Sequence, residues 1–188
     1  MELKYLHINE KEQTQELLIS QKQVNMLKKF LTELIRDEVL IINTNLGLEI
    51  YYQSSNDCTS IIKDVLAIIV SEKYDADDNF QFVSFQNEDE IQRFIDDSIE
   101  QVAETPLFLS YTKSMLSQLK LQYESNKKLI GKLSDIWNEV TQNLHISNVS
   151  IQKIQALQGN FQDIYIKNLK DQVLKKLITE ALDKNHVN

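Results

Sequence analysis

The second half of the chain carries an apolar stripe that constrains the fold more than any other feature. Between residues 107 and 144, large side chains recur at alternating intervals of three and four residues. This spacing places them on one side of an α-helix. The stripe consists of Leu116, Leu119, Tyr123, Asn126, Ile130, Leu133, Trp137, Val140 and Leu144. Thr105 and Pro106 precede it as a helix start signal. The pattern therefore predicts a single long helix over 107–144.

Shorter patterns predict the remaining elements. The chain has only three glycines and one proline, and this scarcity favours helices joined by short polar connections. The apolar periodicity predicts helices over 10–37, 59–73 and 148–184, and a further helix after Asn87. Runs rich in β-branched and aromatic residues predict a β-hairpin over 39–53 and a strand over 80–86. A looser alternation over 3–8 is compatible with one more strand.

Together these elements predict an α+β fold that is predominantly helical, with a small mixed sheet and a bundle of long helices. The order strand–helix–strand–strand–helix–strand matches the ferredoxin-like split βαβ arrangement. Residues 1–104 would form a small α+β part and residues 105–188 a long antiparallel helical hairpin, within one cooperative domain. We expect the helices over 10–37, 107–144 and 148–184 to form an antiparallel bundle with the sheet at one end.

The negative charge of the chain is concentrated in one segment. The net charge is −8, and residues 72–104 contain 11 acidic residues against Lys73 and Arg93. Such a segment would repel a phosphate backbone, which argues against nucleic acid as a partner. The same charge would allow the segment to occupy a basic groove on a target protein. The acidic residues assigned to such a decoy are Asp75, Asp77, Asp78, Asp96 and Asp97.

The sequence contains no motif that supplies a catalytic, metal-binding or cofactor-binding group. Asp75, Asp77 and Asn79 match the first positions of an EF-hand loop, but Phe80 and Gln86 replace its glycine and its closing glutamate. The three histidines are far apart, and the glycines are too scattered to form a phosphate-binding loop. We therefore assign no catalytic residue, no metal and no cofactor, and expect that the protein is not an enzyme.

The location of the protein is predicted from two further observations. No apolar run approaches the roughly 18 to 20 residues that span a bilayer. The first residues, MELKYLHINEKEQ, lack the basic start and apolar core of a signal peptide. Together with the single cysteine, these observations predict a cytoplasmic protein that does not associate with membranes.

Three classes of function stay open. The leading hypothesis is a non-enzymatic protein–protein interaction module, such as an assembly subunit, an adaptor or an inhibitor. The stripe would then carry more apolar surface than one chain can cover, and would drive coiled-coil association with a protein partner or a second copy. The residues assigned to this surface are Leu119, Tyr123, Asn126, Ile130, Leu133 and Trp137. The alternatives are the acidic decoy and an enzyme or small-ligand binder with an unrecognised site.

Overall fold

The computed structural model of the chain describes residues 2–11, 17–70, 80–103 and 105–143, together with residues 159 and 163. Within these ranges lie four strands, β1 (Glu2–Glu10), β2 (Val39–Thr44), β3 (Gly47–Ser54) and β4 (Phe80–Phe85). The same ranges hold five helices, α1 (Gln21–Ile35), α2 (Thr59–Val70), α3 (Glu88–Val102), α4 (Pro106–Gln122) and α5 (Lys127–Asn143). The chain is therefore α+β and predominantly helical, and the predicted hairpin and both predicted strands are confirmed.

The four strands form one sheet in the order β2–β3–β1–β4, and every neighbouring pair is antiparallel. The expectation of a mixed sheet is wrong, because the parallel strands of this sheet are not neighbours. Strands β1 and β2 run in the same direction, but β3 lies between them. Strands β3 and β4 also run in the same direction, and β1 lies between them. Each strand–helix–strand unit is thus split by a strand of the other, as the order of the elements predicts.

Both faces of the sheet are apolar, because successive side chains of a strand point to opposite sides. On one face, Ile8, Ile41 and Ile50 pack with α1 and α2. On the other face, Tyr5 and Ile42 pack with α3, α4 and α5, and we call this the C-terminal face. The sheet is the middle of three layers. The expected bundle also involves the helix predicted over 148–184, which lies outside the described residues except for residues 159 and 163. Within the described residues, helices cover both faces of the sheet, because both faces are apolar.

The long helix predicted over 107–144 is in fact two helices. A 3-10 turn, Tyr123–Ser125, follows α4, and Asn126 then has a non-helical φ of −143°. Glu38 Oε2 accepts hydrogen bonds from two backbone N–H groups in the first turn of α5, at 2.9 and 3.0 Å. This carboxylate satisfies N–H groups that a helix start leaves unpaired, and it interacts favourably with the helix dipole. The periodicity continues across the break because α4 and α5 bury side chains in the same core.

Helix α1 begins later than the predicted start at residue 10, because Asn9 and Glu10 belong to β1. The helix is capped by Ser20, whose Oγ accepts from the Gln23 N–H at 3.4 Å. In return, Gln23 Oε1 accepts from the Ser20 N–H at 2.9 Å. This reciprocal capping box is also present in the sequence, as a serine followed three residues later by a glutamine.

Strand β2 lies at an edge of the sheet, and two glutamines of α4 bind its outward backbone groups. Gln118 Nε2 donates to the Asn43 carbonyl and Gln118 Oε1 accepts from the Asn43 N–H, both at 2.8 Å. Gln122 makes the same pair of contacts with the backbone of Ile41. A helix advances about 6 Å in four residues and a strand about 6.6 Å in two, so the spacings match. The two amides therefore cover the edge as a neighbouring strand would.

Gly47 permits a close approach between β3 and β1. Its φ is +130°, and a Cβ at this position would lie 2.6 Å from the Ile8 carbonyl oxygen. We expect Gly47→Ala to lower the free energy of unfolding by roughly 2 kcal/mol, measured by urea denaturation. Gly131→Ala is the control, because the Gly131 Cβ position has no atom within 4 Å. This control should raise the free energy of unfolding by up to about 1 kcal/mol, and equal effects would contradict the prediction.

Candidate functional site

The residues that the sequence assigns to a protein interface lie inside the chain. The six residues Leu119, Tyr123, Asn126, Ile130, Leu133 and Trp137 are at most 4% exposed. All except Asn126 belong to the core beneath the C-terminal face. The chain's own sheet and helices therefore surround these side chains.

The acidic residues assigned to a decoy are only partly described. Asp75, Asp77 and Asp78 lie outside the described residues. Asp97 is an exposed residue of α3, whereas its neighbour Asp96 is half-buried. Burial, followed by the nearby carboxylates of Asp97 and Glu100, raises the pKa of Asp96. The structure thus brings Asp96 and Asp97 together on one helix, and it places Asp97 at the rim of the pocket described next.

A cavity of about 580 Å³ opens on the C-terminal face, between the sheet, α3 and the first part of α4. Tyr5, His7 and Glu49 contribute to its floor, and the rings of Phe94 and Tyr111 contribute to its walls. Three exposed residues, Gln81, Asp97 and Gln101, mark the opening to solvent. This volume is within the range of about 300 to 1,000 Å³ that is usual for pockets that bind small molecules.

The sheet register brings the polar residues of the floor together. His7 lies opposite Glu49, and Tyr5 lies opposite Tyr51, in the antiparallel pairing of β1 with β3. Residues two apart on a strand share a face, so all four side chains lie on the C-terminal face. The rings of Tyr5 and Tyr51 stack with their centroids 4.5 Å apart. The result is a compact group of one carboxyl, one imidazole and two phenols.

Glu49 is held at the floor by two tyrosines. The Tyr51 hydroxyl donates to Glu49 Oε2 at 2.7 Å, and the Tyr111 hydroxyl contacts the same carboxyl. Burial raises the pKa of Glu49 from 4.5 to about 7, and the contacts with Tyr51 and Tyr111 limit this rise by favouring the ionised form. Glu49 therefore changes charge near neutral pH, which is unusual for a carboxyl group.

His7 is held beside this carboxyl in a neutral form. The Tyr5 hydroxyl lies 3.1 Å from His7 Nδ1. With its amide nitrogen turned toward β3, Asn9 lies 2.9 Å from His7 Nε2 and donates to the Leu46 carbonyl at 2.7 Å. Burial lowers the pKa of His7 from 6.5 to about 4, against the opposing effect of the Asn9 contact. At neutral pH the pocket floor therefore carries no positive charge from this imidazole.

The three tyrosines of the site remain protonated at neutral pH, because burial raises the pKa of Tyr5, Tyr51 and Tyr111 well above 10. Around the pocket the chain can thus offer phenol hydroxyls, a carboxyl that changes charge and an apolar aromatic wall. Over the described parts of the chain, no three histidine, cysteine, aspartate or glutamate side chains converge to hold a metal ion.

Sequence reasoning did not identify this site. One signal was present, since Glu49 interrupts the apolar and aromatic run LGLEIYY in a strand that is buried along almost its whole length. A charged residue in such a strand requires a partner or a function. The pairing of Glu49 with His7 depends on the order of the strands, and residue spacing does not give that order.

Comparison of the chain with protein-family models, with curated proteins and with solved structures finds no match to any of them. In the ranges that the structure describes, no helix is both long enough and apolar enough to cross a bilayer. The features that bear on function are therefore the geometry of the pocket and the exposed surface of the helices.

Proposed function

We propose that the protein is a non-enzymatic binding protein and that the pocket on the C-terminal face holds a small molecule. The observation that carries this proposal is a carboxyl, Glu49, that is only 4% exposed and yet lines a cavity open to solvent. A cavity that joins aromatic walls to convergent polar groups, one of them with a strongly shifted pKa, is a typical ligand site.

Binding is favoured over catalysis by the way in which the polar groups are held. Tyr51 and Tyr111 contact Glu49, and Tyr5 contacts His7, so these groups orient one another. A nucleophilic mechanism needs a nucleophile beside its base. The one thiol of the chain, Cys58, is buried with α2 on the opposite face of the sheet.

The aromatic residues of the central strands support the choice of a small ligand over nucleic acid. Sheet-based RNA-binding modules expose such aromatics so that bases can stack on them. Here Tyr5 and Tyr51 are each 2% exposed, and they belong to the core that includes α3 and α4.

Filling the pocket should abolish ligand binding. Ser98 lines the cavity from α3, and Ser98→Phe would place a ring inside it. We expect fragments that bind the wild-type protein in a ligand-observed NMR screen to lose at least about tenfold in affinity, which corresponds to roughly 1.4 kcal/mol.

The matched control for this prediction is Ser110→Phe, because Ser110 is an exposed residue of α4 outside the pocket lining. Affinity should be unchanged in this variant. Fragments that bind both variants equally well would place the binding site elsewhere on the protein and contradict the proposal.

A second candidate function is protein–protein interaction through the outer side of α1. Met26, Phe30 and Leu34 are 42%, 45% and 54% exposed. Their spacing of four residues places them along one side of the helix, away from the buried Val24, Leu27 and Leu31. An exposed apolar row of this kind is typical of a surface that meets another protein. This candidate keeps the predicted class of function but moves the contact from the 107–144 stripe to α1.

Removing the apolar character of this row should release any partner that uses it. We expect Phe30→Glu to convert a complex or oligomer into a monomer in native mass spectrometry, because a charge would enter an apolar interface. Leu121→Glu is the control, since Leu121 is 80% exposed on α4. If Phe30→Glu leaves the assembly unchanged, α1 is not the contact surface.

A further inference from the structure

The charged side chains among the described lining residues are all acidic. The described lining residues include three carboxyl side chains, those of Glu10, Glu49 and Asp97, and neither a lysine nor an arginine. His7 adds no positive charge at neutral pH, because burial lowers its pKa to about 4. Among the described lining residues an anionic ligand would therefore meet negative or neutral groups, and electrostatic complementarity with them favours a cation.

Glu49 has hydrogen-bond partners but, among the described residues, no partner of opposite charge. Its contacts from Tyr51 and Tyr111 come from neutral phenols, and neither ion pair found among the described residues includes it. An ionised carboxylate at this depth is costly unless a positive charge lies beside it. A bound cation would supply that charge from outside the chain.

A second group in the lining has no hydrogen-bond donor among the described residues. Asn45 lines the cavity, and its Oδ1 is buried without a hydrogen bond from any described residue. Buried acceptors of this kind are normally satisfied by a protein group, a water or a ligand. A ligand that brings N–H donors, as an ammonium group does, could donate to such an acceptor.

The remaining wall is aromatic. The rings of Phe94 and His7 lie with their centroids 5.0 Å apart, and those of Phe94 and Tyr5 lie 5.6 Å apart. Tyr111 lines the cavity from α4. Aromatic rings attract cations through their faces and also bury apolar groups, so the wall suits the carbon skeleton of an organic cation.

We infer that the pocket takes a small organic amine, with its ammonium group beside the Glu49 carboxyl and its carbon skeleton among the rings of Tyr5, Phe94 and Tyr111. This inference rests on the proposed binding function and specifies the class of ligand. The charged or titratable side chains around the ammonium position are those of Tyr5, His7 and Glu10 from β1, Tyr51 from β3, Asp97 from α3 and Tyr111 from α4. The carboxylates of Glu49 and of Asp97 at the rim would attract the ammonium group.

The test compares three probes of one shape and different charge: benzylamine, benzyl alcohol and benzoate. Each is titrated into the isotopically labelled protein, and the amide signals of Ser98 and Tyr111 are followed by NMR. We expect benzylamine to bind at least about tenfold more tightly than either of the other two. Glu49→Gln should abolish this preference, whereas Glu100→Gln, the same change at an exposed residue of α3 outside the lining, should preserve it.

Proton release gives an independent readout. Because the pKa of Glu49 is about 7, a bound ammonium group at pH 6 would drive a proton from the carboxyl. Calorimetry in two buffers of different ionisation enthalpy should therefore detect release of a proton with the wild-type protein and none with Glu49→Gln. Affinity for benzylamine should rise about tenfold between pH 6 and pH 8, since the ionised fraction of Glu49 rises about tenfold over that interval.

The possible results test the class of ligand and the binding function separately. Equal binding of the amine and the alcohol would overturn the amine inference and leave small-molecule binding in place. Binding of benzylamine that Ser98→Phe does not weaken would place the amine outside the pocket and also overturn the inference. If none of the three probes shifts the pocket signals at millimolar concentration, both the inference and the proposed function are overturned.

Discussion

Leu133→Asp should unfold the protein. Leu133 is 1% exposed and lies in the core that joins the sheet to α3, α4 and α5. The substitution removes a buried apolar side chain and introduces a carboxylate into the same space. Losses of this type exceed roughly 4 kcal/mol and approach the whole stability of an ordinary domain, about 5 to 15 kcal/mol. Circular dichroism at 25 °C should show loss of helix signal, and thermal melts should lose their cooperative transition.

Leu121→Asp is the matched control, because Leu121 is 80% exposed on α4. Its effect on the free energy of unfolding should stay within about 0.5 kcal/mol. A folded Leu133→Asp variant that had lost only self-association would support the interface role predicted from the sequence stripe, and would contradict the internal position of Leu133.

Glu49→Gln and His7→Gln should change the pH dependence of stability in opposite directions. Burial raises the pKa of Glu49 from 4.5 to about 7 and lowers that of His7 from 6.5 to about 4. The native state therefore favours the neutral form of both groups. Each shift corresponds to roughly 3 kcal/mol of stability. The two contributions have opposite signs over nearly the same pH range, so they nearly cancel in the wild-type protein.

The sign of each contribution follows from which state binds the proton. Between pH 4.5 and 7 the folded protein keeps the Glu49 proton that the unfolded chain releases. The contribution of Glu49 to the free energy of unfolding is thus fully present below pH 4.5 and is lost as the pH rises through 7. Between pH 4 and 6.5 the unfolded chain protonates His7 and the folded protein does not. The contribution of His7 to the free energy of unfolding is present above pH 6.5 and is lost as the pH falls through 4.

Urea denaturation at a series of pH values tests this cancellation. Relative to wild type, Glu49→Gln should gain roughly 3 kcal/mol between pH 4.5 and 7.5, because glutamine does not ionise. Relative to wild type, His7→Gln should lose a similar amount over the same interval. If the two residues instead formed an ion pair in the native state, each variant would be destabilised most between about pH 4.5 and 6.5, where both unfolded groups are charged. That result would contradict the neutral forms inferred from burial.

Some of the fold could be read from the sequence because the relevant signals are local. The β2–β3 hairpin is predicted by two runs rich in β-branched and aromatic residues around a short polar turn. Asn87 is an asparagine at a helix start, and in the structure it caps α3 by accepting from the Glu90 N–H at 3.0 Å. Other features depend on contacts between distant residues. The break at Asn126 is stabilised by Glu38, a residue from the loop before β2. Apolar spacing alone contains no information about such a cap.

The site could be predicted least. Glu49 and His7 are 42 residues apart and become neighbours only through the register of β1 with β3. His7 looks ordinary in the sequence, whereas Glu49 is marked only by the apolar and aromatic run that it interrupts. Their unusual pKa values arise from burial beneath α3 and α4, and this burial depends on how the helices cover the sheet. The apolar stripe was read correctly as helical, but periodicity does not show whether a helix faces its own sheet or another molecule.

Because Gln118 and Gln122 cover the edge of β2, this edge stays uncovered in the nascent chain until α4 has been made. All four described strands lie within the first 85 residues, so they are synthesised before Gln118 and Gln122. Until α4 emerges, the edge of β2 offers free backbone groups and the C-terminal face offers uncovered apolar side chains. The growing chain is therefore most prone to aggregation, and most dependent on chaperones, after its four strands have been synthesised and before α4 covers them.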